Sequence, residues 1–98
     1  MNRRDAIRAL TSYADAIKAR GATSLFLFGS SAQDSARPDS DLDLFVDYDP
    51  EKKFSLVDLV DIKFYLEDRL GIPVDITTRD SLHPMLRRGI ENSAVRVF

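Results

Sequence analysis

Asp41 and Asp43 occupy alternate positions in the run Asp41-Leu42-Asp43-Leu44-Phe45-Val46. In a strand, side chains two residues apart leave from the same face, so these carboxylates would stand side by side while Leu42 and Leu44 face a core. Carboxylates held that close repel and raise one another's pKa unless a cation lies between them. Oxygen-only donors suit a hard divalent ion, magnesium or manganese. With no cysteine and a single histidine, the chain has nothing that would recruit a zinc-type site.

A second stretch with chemical potential lies upstream, where the apolar run Leu25-Phe26-Leu27-Phe28 stops at Gly29-Ser30-Ser31-Ala32. Glycine tolerates positive φ and lets another group approach the backbone, so a buried strand can turn tightly at Gly29. A short helix beginning at Ser31 or Ala32 would aim its free N–H groups at whatever sits above the strand end, and the Ser30 hydroxyl adds a donor. A phosphate cradle at Gly29 and Ser30, beside a magnesium-binding carboxylate pair, describes an enzyme that handles nucleoside triphosphates.

These residues need elements to hold them. From 3 to 20, Ile7, Leu10, Ala14 and Ile17 recur at three- and four-residue steps, predicting one amphipathic helix capped by Asn2 and ended at Gly21. Strands are expected at 24 to 29 and from about 41 to 48, with a short helix from about 31 to 34 and a turn at Arg37-Pro38-Asp39 between them. The polar segment from Asp47 to Lys53 reads as a solvated loop, since Pro50 breaks pairing. A helix over 56 to 70 is marked by Ser55 as N-cap, Asp58 three residues on and Phe54 able to staple onto Leu59; Leu56, Leu59, Ile62, Leu66 and Leu70 form its apolar stripe, and Gly71 with Pro73 stops it.

Val74-Asp75-Ile76-Thr77 is the third strand, with Asp75 turned away from Val74 and Ile76. A last helix is expected from about 82 to 92, with Leu82, Met85, Leu86 and Ile90 inward, His83 structural near its start, and Arg87 and Arg88 either solvated or facing an acidic partner. Val95 to Phe98 alternates like a short terminal strand.

At 98 residues the chain is expected to be one domain, 1 to 98, with room for a single core but not for a separate substrate domain. Hydrophobic residues at 44% and charged residues at 31% describe an ordinary globular balance, not a disordered one. A net charge of −2 gives no general attraction to nucleic acid or anionic membranes. No run is long enough to span a bilayer, and the start lacks the apolar core of a signal peptide, so a cytoplasmic location is expected.

The stretch from Gly29-Ser30 to Ser40-Asp41-Leu42-Asp43-Leu44 resembles the minimal nucleotidyltransferases of the polymerase-β-like superfamily, whose signature is Gly-Ser, a short helix and an Asp-x-Asp strand. The resemblance implies the nucleotidyltransferase fold, an α/β architecture with a small mixed sheet, helices mainly on one face and the carboxylates on the other. It implies magnesium-dependent transfer of AMP from ATP to a protein hydroxyl, and a role as the antitoxin beside a HEPN-type toxin. Asp41 and Asp43 would hold magnesium, and Gly29 and Ser30 would position the phosphates. Asp75, if its strand lies beside 41 to 48, would accept the proton of the attacking hydroxyl or complete a second metal site. The family usually has Arg-Gly where this chain has Gln33-Asp34, which removes one positive charge near the phosphates and adds a negative one. The alternative is a non-catalytic antitoxin that keeps the fold and neutralises its partner by binding. Transfer of AMP to a small molecule is a further alternative, disfavoured by the lack of a second domain.

Overall fold

The strands form where apolar residues alternate with polar or aromatic ones, and the helices where apolar residues return every third or fourth position. The computed structural model describes residues 2–29, 32 and 41–98. Ser30, the short helix near 31 to 34 with Gln33 and Asp34, and the turn at Arg37-Pro38-Asp39 lie outside the described residues. In chain order the elements are α1 (Arg3–Ser12), α2 (Ala14–Ala19), β1 (Ala22–Phe28), β2 (Leu42–Tyr48), α3 (Leu56–Leu70), β3 (Val74–Thr78), a 3-10 turn (Arg79–Ser81), α4 (Pro84–Ser93) and β4 (Val95–Arg96).

The strands make one four-stranded mixed sheet in the order β3-β2-β1-β4. β1 pairs antiparallel with both β2 and β4, whereas β2 and β3 run parallel. A parallel pair needs a long crossover, and α3 supplies it. Leu25, Leu27, Leu42, Leu44, Val46 and Val74 line one face and pack against Ala6, Leu10, Ile17, Ile62 and Leu66 from α1, α2 and α3. This is the architecture expected, with these helices on one face. The other face carries Phe26, Phe28, Asp43, Phe45, Asp47 and Asp75.

The helix expected over 3 to 20 is two helices. Asn2 caps the first through a hydrogen bond from the Asp5 amide (2.8 Å), but the run ends at Ser12. Thr11 and Ser12 turn their hydroxyls back to the carbonyls of Ile7 and Ala9, which competes with the helical ladder and bends it. The break at Tyr13 points its ring edge-on at Tyr65 of α3, with centroids 5.9 Å apart.

The third helix matches its expected bounds. The Ser55 amide donates to Asp58 Oδ2 (2.8 Å) in a capping box, and Gly71 closes the other end in the left-handed region with its amide on the Glu67 carbonyl (2.9 Å). Ile62 and Leu66 are fully buried, but Leu56 is 74% exposed because the first turn stands proud at the rim of a concavity. Phe54 stacks on Tyr48, with centroids 5.1 Å apart.

The last helix departs most from expectation. Met85 and Leu86 are 87% and 61% exposed instead of inward, and no residue of α4 is buried. Leu82 is buried just before the helix and Ile90 is half-buried. Charged contacts tie this helix to the sheet: Arg79 binds both Asp47 of β2 and Glu91 of α4. His83 is structural, as expected, with its Nδ1 accepting from the Met85 amide (3.2 Å) ahead of Pro84. No helix among the described residues is long and apolar enough to cross a membrane.

Candidate active site

Strand alternation puts Asp43 on the face opposite the aliphatic core, and the parallel register sets Asp75 directly beside it. Neighbouring strands lie about 4.8 Å apart, so two like charges here interact strongly. Asp41 precedes β2 by one residue and is exposed. Both Asp75 and Asp41 act electrostatically on Asp43. Burial pushes the Asp43 carboxyl above the usual aspartate range, and the charge of Asp75, then that of Asp41, pushes it further.

Among the described residues, no set of three or more Asp, Glu or His side chains is drawn together tightly enough to enclose a metal ion. The same repulsion that raises Asp43 opposes closure of such a set unless a cation lies between its members. The donor set is all oxygen, which fits magnesium or manganese and not a softer ion.

On its other side Asp43 is paired across the sheet with Phe28, and Gly29 follows immediately. Gly29 has φ +70°, and a Cβ built there would sit 2.5 Å from Asp43 Oδ2 and 3.3 Å from its Cγ. Gly29 is thus required twice, for the turn and for the space that the Asp43 carboxylate occupies. The structure brings Gly29, Asp41, Asp43 and Asp75 to one end of the sheet, and Ser30 lies outside the described residues.

One step along β2, Phe45 stacks on Phe26 at 4.8 Å and meets Phe28 at 5.7 Å. The Arg79 guanidinium lies 4.7 Å from the Phe26 ring centre and 5.2 Å from that of Phe45. Its Nε and Nη2 donate to the two carboxylate oxygens of Asp47 (2.8 and 3.1 Å), and its Nη1 donates to Glu91 Oε2 (2.7 Å). These bonds hold the Arg79 pKa above its ordinary value, the Asp47 bond foremost.

Asp47 lies in the strand, which was expected to run to about 48, and is held there in an ion-pair network instead of standing solvated at the start of the loop expected over Asp47 to Lys53. The available signal was the two-residue step, since Asp41, Asp43, Phe45 and Asp47 continue one series on one face. Arg79 gave no such signal, because its partners lie 32 and 12 residues away.

Two concavities among the described residues lie at the other end of β2. One of about 390 Å³ is lined by Tyr48, Phe54, Leu56, Leu59, Thr78 and Asp80, and one of about 210 Å³ by Tyr48, Pro50, Arg79 and Arg87. Both include Tyr48, which lies about 17 Å along β2 from Asp43 at 3.4 Å per residue. The Tyr48 hydroxyl there donates to Asp80 (2.5 Å), which raises the phenol pKa. The carboxylates of Asp41, Asp43 and Asp75 stand at the opposite end of the sheet from these concavities.

A mixed sheet with a Gly-turn and paired strand aspartates on its open face is the frame of a nucleotidyl-transfer domain. Residues 10–97 match the family model described as nucleotidyltransferase domain, and the chain belongs to that family. It is 43% identical over 72 residues to a Methanocaldococcus jannaschii protein assigned as a protein adenylyltransferase, covering 74% of this chain and 75% of that one. It superposes with a TM-score of 0.80 on a solved structure assigned as a minimal nucleotidyltransferase, at 34% identity and over 97% and 95% of the two chains. A more distant likeness, 14% identical with a TM-score of 0.67 over 94% and 71% of the chains, is to a Shewanella oneidensis structure of a tri-AMPylated HEPN toxin with its MNT antitoxin; at that identity it shows the fold alone.

Proposed function

We propose that this nucleotidyltransferase moves AMP from ATP to a protein hydroxyl and serves as the antitoxin of a HEPN-type toxin in the cytoplasm. The observation that carries the reading is the register of Asp43 beside Asp75, with Asp41 two residues away, on the face that the core helices leave uncovered. The adenylyltransferase relative supports the reaction, and the HEPN complex of the distant structural neighbour supports the partner.

Asp41 and Asp43 are the residues that would hold magnesium. The ion, when bound, neutralises charge on the triphosphate and the departing pyrophosphate. Gly29 leaves the Asp43 carboxylate free of a neighbouring side chain, and Gly29 with Ser30 would position the phosphates. The acceptor oxygen forms its bond to the α-phosphorus as the bond to the pyrophosphate oxygen breaks. Asp75 takes the proton of the attacking hydroxyl on its carboxylate, or completes the metal site. The phosphoester product is an AMP-modified side chain.

The test incubates the chain with ATP labelled on the α-phosphate, magnesium and a purified HEPN-type toxin. Label on that protein, lost in Asp41→Asn and Asp43→Asn, is the expected result; transfer near wild type in either variant would overturn the reading. Asp75→Ala should cost far more in rate than in ATP affinity if Asp75 is the base, and comparable amounts in both if it is a ligand.

A second reading rests on Gln33-Asp34, where the family usually has Arg-Gly. A chain that binds the same partner but never ATP would neutralise by contact alone. The double variant Gln33→Arg with Asp34→Gly separates the two, since it should strengthen labelling in a weakened enzyme and change nothing in a binding module.

A further inference from the structure

We propose that Arg79 is a positioning residue for this transfer: by clamping the end of β3 to Asp47 of β2, it keeps Asp75 in register beside Asp43. The inference rests on the nucleotidyl-transfer reading of the carboxylate face.

Asp75 sits on a strand of five residues at the edge of the sheet, where its one strand neighbour among the described residues is β2. Parallel pairing is slightly weaker per residue than antiparallel, and a short edge strand has little else to set its register. A slip of two residues keeps every side chain on its face yet carries Asp75 about 6.6 Å away from Asp43. Two devices oppose the slip, one at each end of the strand.

At the start of β3, the Leu42 amide donates to the Pro73 carbonyl (3.0 Å), and Lys63 and Glu67 of α3 bind the carbonyl and amide of Val74 (2.7 and 2.9 Å). At the far end the restraint is Arg79, the first residue after the strand. Its fork closes on both oxygens of Asp47, its third donor reaches Glu91, and its plane rests on Phe26 and Phe45. A planar guanidinium meets all of these demands at once, whereas a lysine ammonium cannot. The half-buried setting protects the contact from full solvent screening. The pairing also offsets the Asp47 charge, which would otherwise add to the negative charge of Asp43 and Asp75 on the same face.

The test uses the full chain with its partner, labelled ATP and magnesium, alongside amide hydrogen exchange without nucleotide. Arg79→Gln and Asp47→Asn should each lower kcat by up to about 100-fold, the scale for a reacting group displaced by an ångström, with KM for ATP unchanged. Arg79→Lys should recover part of the loss. Glu91→Gln, which frees α4 but leaves the strand clamp, should stay near wild type. Amides of β3 should exchange faster in Arg79→Gln while those of Leu25, Leu27 and Ile62 do not. The proposal is overturned if Glu91→Gln costs as much as Asp47→Asn, if KM for ATP rises as kcat falls, or if exchange in β3 is unchanged. Should Arg79→Gln not fold, Asp47→Asn carries both measurements. Should the wild-type chain transfer no label, the transfer reading fails, and exchange in β3 alone decides whether Arg79 holds the strand.

Discussion

Burial and two neighbouring carboxylates oppose ionisation of Asp43, so its pKa is higher folded than unfolded. A carboxyl raised on folding favours the native state below its unfolded pKa, near 3.9, and loses that advantage as pH rises through the folded value. At neutral pH the ionised Asp43 therefore detracts from stability. Asp43→Asn should melt at an equal or higher temperature than wild type at pH 7, with the difference gone at pH 3 by calorimetry, although its transfer activity is lost. Gly29 makes the opposite demand. Gly29→Ala would force a side chain into the left-handed region, at about 1–2 kcal/mol, and drive its Cβ against the Asp43 carboxylate. Denaturant titration should show a loss of at least that size together with loss of labelling; a stable, active Gly29→Ala variant would refute the packing argument.

At the scale of elements, β3 is both the edge of the sheet and the carrier of Asp75, and α3 guards it. Glu67 Oε2 accepts from the Val74 amide (2.9 Å) and from Lys63 Nζ (3.2 Å), and Lys63 in turn donates to the Val74 carbonyl (2.7 Å). The Val74 backbone groups, which would face outward at a bare edge, are thereby satisfied, which shortens the template for pairing with another chain. The Val74 amide, and then Lys63, hold the Glu67 carboxyl below its ordinary pKa. A lowered pKa contributes stability that is present above the unfolded value, about 4.3, and disappears as pH falls through the folded one. Glu67→Gln should therefore melt below wild type at pH 7, and the two curves should converge in acid. Parallel curves at every pH would assign the Glu67 contribution to shape instead of charge.

For the molecule as a whole, stability and surface chemistry are divided between the two faces of the sheet. The aliphatic face holds Leu10, Ile17, Leu25, Leu27, Leu44, Ile62 and Leu66, all fully buried, in a domain whose total stability is expected near 5–15 kcal/mol. Leu66→Ala should cost about 2–5 kcal/mol, a large share of that total. Met85→Ser with Leu86→Ser, on exposed positions of α4, should change stability by no more than about 0.5 kcal/mol each. Urea midpoints compare the two directly. A large loss from the α4 pair would mean that this helix contributes to the core after all.

Local sequence determined what lies within a turn of helix or a few residues of strand. The bounds of α3 follow from Ser55, Asp58 and Gly71, and the alternation around Asp43 places it opposite Leu42 and Leu44, because capping and periodicity act between residues at most four apart. The Gly29 turn and the Asp41-Leu42-Asp43 alternation were each legible for the same reason, and their association through the resemblance to a known family. Tertiary structure alone decided that β3 lies beside β2 and so sets Asp75 against Asp43, and that α4 is tied to the open face by charge with Met85 and Leu86 outward. Asp47 and Arg79 are 32 residues apart, and neither carries a local mark of the other. Their pairing exists because the crossover through α3 returns the chain to the same sheet, which brings an arginine after one strand to a carboxylate at the end of its neighbour.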